Sequence, residues 1–593
     1  MFLTRSFLKP FVLSMLAVVA IGIQDTYAWI LGPVKFESYD GTLLDAQLFK
    51  PDGYSRGDTF PAMILVPGWS MPKETTFDNA IEFARRGFVV LSYTPRGYGF
   101  SEGLVNVAGP KDREDFSSAI DWLLVNTKTD PERIGTGGIS YGGIVPANAS
   151  SFDERISALA TIDIPAEVLD AFYQGDTPNA FWTRFLELTS HLGRPDPEIR
   201  RNLEDLFAHR RIPEIIGWAL ERSPRSFVDR LNDRQIPVFL SFNYRDRMFR
   251  PNSGIRYFEA LTGPKLLQLH DGIHGMASGD SGNYLSQSYF DWFDYWLNGV
   301  DNGIMDRPIA DFQVHGTQRR VQYHSWPSPD IYTTPLYLSA HPQRMTGDLL
   351  AEPDIFSDIW LLKSFVGNQE TRQPTTGTPI FDAQTPVTLD FSTLDPDLAH
   401  TYQTAPLPEG LKLRGAPKVS LRIQAWNEQA QVVAYLYQIN PDGQALYLTQ
   451  GAKTFYELYP GEVVDLEIEM TTLIHDFPPG TQLALAFDTQ DPQFISPPQR
   501  RFELDVIHSD FHPNRLWIPI EGDFLIAASD NGFGETDRAQ NQEAGEDAGD
   551  KSPDRAVATS SSSGSGGGSG GSLPLWILAA LALTAAARRR LEK

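Results

Sequence analysis

Hydrophobic residues along this chain follow two different rhythms. From residue 29 to about 305, unbroken apolar runs alternate with segments of helical period. Ala62-Met63-Ile64-Leu65-Val66 and Ile236-Pro237-Val238-Phe239-Leu240-Ser241-Phe242 are runs of the first kind, the pattern of strands buried on both faces. Helical period is plainest over 285–297, where Leu285, Tyr289, Trp292, Phe293, Trp296 and Leu297 share one face and Gly299 supplies a stop. Such alternation predicts an α/β domain. An insertion near 165–235 interrupts it with helical patterns at Phe181–Leu186 and Ile215–Leu220. Lying between the strand before Pro165 and the strand at Pro237, the insertion is expected to cap a site. From about 306 to 530 the rhythm becomes period two. Val433, Tyr435, Tyr437 and Ile439 alternate with other residues, as do Leu483, Leu485 and Phe487, which predicts an all-β sandwich.

Chemistry enters at Gly138-Ile139-Ser140-Tyr141-Gly142, which follows the strand-like run Arg133–Gly137 and precedes small residues able to start a helix. A strand–turn–helix carrying G-x-S-x-G is a nucleophile elbow, whose sharp turn thrusts the serine hydroxyl above the sheet. The pattern needs its context, because Gly567-Gly568-Ser569-Gly570-Gly571 repeats it inside a Gly/Ser linker. A serine nucleophile requires a base, and the base requires a carboxylate that sets its tautomer. Asp246 lies just after the strand at 236–242, and His274 just after the strand-like Lys265–His270, in the order Ser, Asp, His. Asp271 and Asp280 are alternative acids and His270 an alternative base. Ser140, Asp246 and His274 are preferred because each falls in a loop that leaves a strand, where open α/β sheets place their sites.

The oxyanion of an acyl-transfer reaction needs preorganised N–H donors. The backbone N–H of Tyr141, next after the nucleophile, is one candidate. The other is the N–H of Trp69, in the loop Pro67-Gly68-Trp69-Ser70 after an earlier strand, with Ser70 behind it. No cofactor or metal is expected. His508 and His512 are four residues apart, but they lack a clear third ligand and sit among strand and turn residues ahead of Pro513.

Composition narrows the classes. With 593 residues, 41% of them hydrophobic, the chain exceeds one ordinary domain and can bury large cores. A net charge of −25 argues against nucleic-acid partners. The absence of cysteine excludes disulfides, thiolate metal sites and a cysteine nucleophile. Two classes remain: an active serine hydrolase acting on a small-molecule or peptide substrate, and a surface binding protein built on a spent hydrolase fold.

Tyr93-Thr94-Pro95-Arg96-Gly97-Tyr98-Gly99-Phe100-Ser101-Glu102-Gly103, the elbow, and Phe290–Gly303 together resemble the X-Pro dipeptidyl-peptidase and cocaine-esterase-like serine hydrolases. Val419–Ile423, Gln438–Gly443 and Phe477–Gly480 extend the resemblance to roughly residues 35–525. It implies an α/β-hydrolase followed by a jelly-roll sandwich, and hydrolysis of an ester or amide through an acyl-enzyme. Some members of the family place a tyrosine hydroxyl in the oxyanion hole, whereas this loop offers Trp69. A dipeptidyl-peptidase also needs carboxylates near the cap for a substrate ammonium, and Glu167, Asp170 and Asp176 are the candidates.

Both ends read as addresses. Residues 1–28 have a basic start, an apolar core from Phe11 to Ile23 and a small-x-small site at Thr26-Tyr27-Ala28, the pattern of a signal peptide. The hydrolase domain is then expected over 29–305 and the sandwich over 306–530. Residues 531–572 form an acidic and then Gly/Ser-rich linker, and 573–593 a short apolar segment ending in arginines. Leu573–Ala587 would span about 22 Å as a helix, short of the ~30 Å hydrocarbon core. With Arg588–Arg590 behind it, this tail resembles the Gly-Gly sorting signals cleaved by rhomboid-type proteases in Gram-negative bacteria. The resemblance implies an exported enzyme at the cell surface, in transient membrane contact before a sorting protease acts.

Overall fold

The computed structural model describes residues 30–522, apart from 55–57, 341–345, 354–357, 364–387, 396–397, 499–500 and 510. The expected signal peptide (1–28), linker (531–572) and apolar tail (573–593) lie outside the described residues. Among those described, no helix is long and apolar enough to cross a membrane.

Ten strands make the first sheet: β1 Ile30–Glu37, β2 Leu43–Phe49, β3 Phe60–Leu65, β4 Val89–Tyr93, β5 Thr129–Ile139, β6 Ile156–Ile162, β7 Val238–Asn243, β8 Lys265–His270, β9 Ala310–Gln313 and β10 Arg320–Tyr323. Their spatial order is β1-β2-β4-β3-β5-β6-β7-β8-β9-β10. Neighbours from β4 through β9 are parallel. The β1–β2, β2–β4 and β9–β10 pairs are antiparallel. Ten helices accompany the sheet: α1 Phe77–Arg85, α2 Pro110–Asn126, α3 Tyr141–Ser150, α4 Val168–Phe172, α5 Ala180–Ser190, α6 Pro197–Phe207, α7 Ile212–Leu220, α8 Val228–Arg234, α9 Pro251–Ala260 and α10 Ser281–Asn298.

The unbroken apolar runs are explained by helices on both faces of this sheet. Met63 and Leu65 of β3 share a core with Phe83 of α1 and with Tyr289 and Phe293 of α10. Ile64 and Val66 join the opposite core with Ile120 of α2 and Ile144 of α3. Gly299, at φ 69°, caps α10 in the left-handed conformation. Helices α4 to α8 lie between β6 and β7 in sequence, within the span read as a cap.

The first sheet takes in two strands beyond residue 305. β9 and β10 follow the expected boundary near 305, yet β9 pairs in parallel with β8, Leu267 facing Ala310. Strands of four residues carry no mark in the sequence of the sheet they will join.

Beyond β10, the described residues of 331–521 form the second, mostly antiparallel β system. Ile331–Ser339 pairs with Arg515–Glu521, and Ala430–Ile439 pairs with both Gln444–Phe455 and Gln482–Asp488. Ala430–Ile439 is buried on both faces, not one. Val432, Ala434 and Leu436 enter the main sandwich core. Val433, Tyr435 and Tyr437 pack with Phe391 and Phe494. The chain is an α/β-hydrolase with an appended β-sandwich.

Hydrogen bonds join the two parts. Asn252 of α9 donates to the Met470 carbonyl (2.9 Å) and accepts from the Thr472 N–H (2.8 Å). Gln174 donates to the Glu469 carbonyl at 2.7 Å, and the Ala180 N–H donates to the Gln493 carbonyl at 2.8 Å.

Candidate active site

Ser140 sits between β5 and α3 at φ 58°, ψ −126°, a conformation that costs a non-glycine residue about 1–3 kcal/mol. Its own N–H is held by the Ile162 carbonyl (2.9 Å), and its carbonyl accepts from the Ile144 N–H (2.9 Å). The flanking glycines are required by contact. A side chain at Gly142 would run into the Val66 carbonyl, and one at Gly143 would lie 2.6 Å from the Gly138 carbonyl. Through Gly142 the loop that leaves β3 packs directly on the elbow.

The other two predicted members meet. Asp246 Oδ2 lies 2.6 Å from His274 Nδ1, while Oδ1 accepts the N–H groups of Met248 (2.7 Å) and Phe249 (3.1 Å). The Asp246 side chain is wholly buried and the His274 ring is 21% exposed. With Nδ1–H donated to the carboxylate, Nε2 is left as the basic nitrogen. The His274 ring stands edge-on to Phe249 at 5.1 Å. Gly275, the next residue, has its Cβ position 3.2 Å from Ile139 Cγ2, so the histidine loop lies against the elbow. Burial opposes a charge on His274, but the Asp246 charge and hydrogen bond and the Asp163 charge outweigh it and raise its pKa.

Two of the alternatives, His270 and Asp271, are otherwise engaged. His270 is fully buried at the end of β8, its pKa driven well below the ordinary value by burial and then by Arg320. Asp271 pairs with Arg245 (2.6 Å) and accepts the Gly316 N–H (2.7 Å).

Asp163 was not anticipated. It follows β6 with φ 47° and is fully buried. Its Oδ1 accepts the Asn243 N–H, and its Oδ2 accepts both Asn243 Nδ2 and the Gly275 N–H, each at 2.7 Å. Asp163, Asp246 and His274 bring one ligand-capable atom apiece within 4.8 Å of one another. That is metal-site spacing, but hydrogen bonds already occupy these oxygens. The available signal was an Asp at the C-terminal end of a sheet strand, the place where such folds keep their chemistry.

Tyr141, at the first position of α3, has a backbone N–H without an intrahelical acceptor. Its hydroxyl donates to Asp112 (2.9 Å) and accepts from the Ala108 N–H (3.2 Å). Burial, with the Asp115 charge, pushes the Asp112 pKa up to about 7. Trp69 contributes more than a backbone. Its indole Nε1–H donates to the Leu186 carbonyl and to Thr189 Oγ1, both at 3.1 Å, tying the loop after β3 to α5. Its ring packs edge-on against Tyr141 at 5.1 Å.

Beside Ser140 opens a cavity of about 140 Å³, walled by Leu169, Phe172, Leu206, Ile215, Trp218 and Phe249 among others. Of the carboxylates considered for a substrate ammonium, Glu167 is paired with Arg225 and Arg256, both at 2.7 Å. Asp170 is paired with Arg256 at 3.0 Å and with Arg250, and Asp176 with Lys453. None of the three lines this cavity. Among the described lining residues the one carboxylate is Glu187, 3.2 Å from His191 Nε2.

Comparison with known proteins bears on family and fold. Residues 40–276 match the model of the X-Pro dipeptidyl-peptidase (S15) family, and residues 302–519 match that of the X-Pro dipeptidyl-peptidase C-terminal non-catalytic domain. A putative Xaa-Pro dipeptidyl-peptidase of Bacillus cereus is 25% identical over 279 residues, covering 42% of this chain and 46% of that protein. The match therefore spans under half of that relative's length. Among solved structures, the fold is similar to an aminopeptidase from a marine sediment thaumarchaeon (TM-score 0.68, 15% identity, 84% of this chain and 97% of that one). It is also similar to an α-amino acid ester hydrolase (TM-score 0.66, 15% identity, 84% and 98%). At these identities the likeness is one of fold.

Proposed function

Because the chain belongs to the X-Pro dipeptidyl-peptidase and cocaine-esterase-like family of hydrolases, we propose that it cleaves esters or amides bearing an apolar acyl group, through an acyl-enzyme on Ser140. His274 Nε2 takes the Ser140 proton as Oγ attacks the carbonyl carbon, and Asp246 holds the imidazolium that results. The N–H groups of Tyr141 and Trp69 receive the oxyanion. His274 then gives its proton to the leaving group, and water, activated by the same base, releases the acid. The sandwich carries none of these steps; it braces the wall of the site.

The observation that carries the acyl preference is the cavity itself. It adjoins Ser140 and is lined by aliphatic and aromatic side chains, whereas Glu167, Asp170 and Asp176 are held in ion pairs elsewhere. The family match favours a second reading, release of an X-Pro dipeptide with the proline ring in this cavity. That reading needs an anion for the substrate ammonium, and Glu187 is the group available. Compare kcat/KM for 4-nitrophenyl acyl esters and for X-Pro anilides in the wild type and in Glu187→Gln. The first reading expects faster ester turnover, little changed by the substitution. Fast anilide turnover that Glu187→Gln abolishes would establish the second.

Export is proposed on the sequence alone, from the signal-like residues 1–28 and the Gly/Ser-tethered tail. Intact-mass analysis of protein from a Gram-negative host should find a species truncated near Gly570–Ser572. A mature protein that keeps Arg588–Arg590 would make the tail a plain anchor.

A further inference from the structure

Two carboxylates, not one, face the histidine. Asp246 after β7 holds the imidazole directly. Asp163 after β6 holds the backbone next to it, accepting the Gly275 N–H at 2.7 Å. Asp163 is kept in place by its own network: its N–H donates to the Ser241 carbonyl (2.9 Å), and its carboxylate takes both the N–H and the side-chain amide of Asn243 (2.7 Å each). It adopts φ 47°, a left-handed turn that aspartate tolerates, and it is wholly buried. A buried acid aimed at a loop 112 residues away is costly unless it has a task.

We propose that Asp163 is a second acid of the catalytic unit, a positioning residue that fixes the His274 loop through the Gly275 N–H and sets a second negative charge beside the imidazole. The proposal rests on the reading of His274 as general base. The titratable groups that face Asp163 are Asp246 and His274, while Asn243 and Gly275 supply neutral donors. Those that face His274 are Asp246 and Asp163. Burial first, and the neighbouring Asp246 charge second, raise the Asp163 pKa, and His274 opposes them. The imidazolium formed when Ser140 attacks therefore meets the Asp246 carboxylate directly, with the Asp163 carboxylate close by.

Asp163→Asn tests the idea, because it keeps the shape, removes the charge and puts an amide where an acceptor was. Expected is a fall in kcat of about 10- to 100-fold with KM nearly unchanged, from a histidine held slightly out of line. The acid limb of kcat/KM should also move to lower pH, because a neutral neighbour no longer favours the protonated imidazole. A residue that only supports the fold would leave that limb in place. Should Asp163→Asn fail to fold, Asn243→Ala, which removes one donor to the same carboxylate, should shift the limb the same way by a smaller amount. Ser140→Ala and His274→Ala belong in the same series. If either stays active, the serine-hydrolase reading fails. If both are dead while a folded Asp163 or Asn243 variant keeps the wild-type kcat and acid limb, only the proposal about Asp163 is overturned.

Discussion

Two cavities share walls in this protein and differ in almost everything else. The segments 169–174 and 246–250 border both. Leu169, Phe172, Tyr173 and Phe249 face the cavity of about 140 Å³ beside Ser140. Asp170, Ala171, Gln174 and Met248 face a cavity of about 400 Å³ between the hydrolase and the sandwich, with Arg245, Arg250, His315 and Gln493. On the second side the charges serve attachment. Arg250 reaches Glu469 at 3.0 Å and Arg256 reaches it at 3.2 Å, joining α9 and its approach to the sandwich. Ion pairs of this kind add little net stability, but removing one partner strands the other. Polar atoms spent on the domain joint leave the Ser140 side free to be apolar, so on the proposed reading substrate choice there rests on shape and transfer from water.

The comparison breaks most sharply at the nucleophile. Ser140→Ala and His274→Ala should each lower kcat by a factor on the order of 10⁴ or more, and the double variant should be little worse, because the members act as a unit. Fluorophosphonate labelling undiminished in Ser140→Ala would rule the serine out.

Next in size is Leu203→Glu, which puts a carboxylate on the apolar wall from half-buried α6. Desolvating an unpaired charge costs several kcal/mol, so kcat/KM for a butyryl or hexanoyl ester should fall about 10- to 100-fold, and for an acetyl ester much less. Equal losses for both would show that the acyl group does not enter this cavity.

The pH profile comes third. His274 can accept the serine proton only when neutral. Because its pKa is raised above the ordinary 6.5, protonation sets in at higher pH than for a free imidazole, and kcat/KM should already be lost as pH falls toward 6.5. Below that limb the loss is about tenfold per unit, as for any single protonation. A limb below 6.5 would mean that the two carboxylates do not act on the imidazole.

The smallest effect on activity belongs to the joint. Asn252→Ala removes a reciprocal pair of interdomain hydrogen bonds at about 1–3 kcal/mol, since buried backbone partners are left unmade. Thermal unfolding should begin about 1–3 degrees earlier, with kcat within about twofold of the wild type at 25 °C. An unchanged melting curve would deny the joint its part in stability.

Much of the site could be read in the chain because its signals are local. The glycines around Ser140 are set by contacts within one turn, and Asp246 and His274 each stand directly behind a strand whose apolar run is visible. The helix at 285–297 was legible for the same reason, as one face of 3.6-residue period with its glycine stop.

By itself, then, the sequence determined where strands bury both faces, where the chain turns sharply at Ser140 and in what order Asp246 and His274 follow, since each depends on residues within a few positions of one another. Tertiary structure alone decided the rest. It brought Asp163 to Gly275, paired Glu167, Asp170 and Asp176 with cations, tied the Trp69 indole to α5 and drew β9 and β10 into the first sheet. Each of these is a contact between segments distant in sequence or a choice between sheets. The strand spacing and hydrogen-bond geometry that make such a choice exist only once the layers have packed.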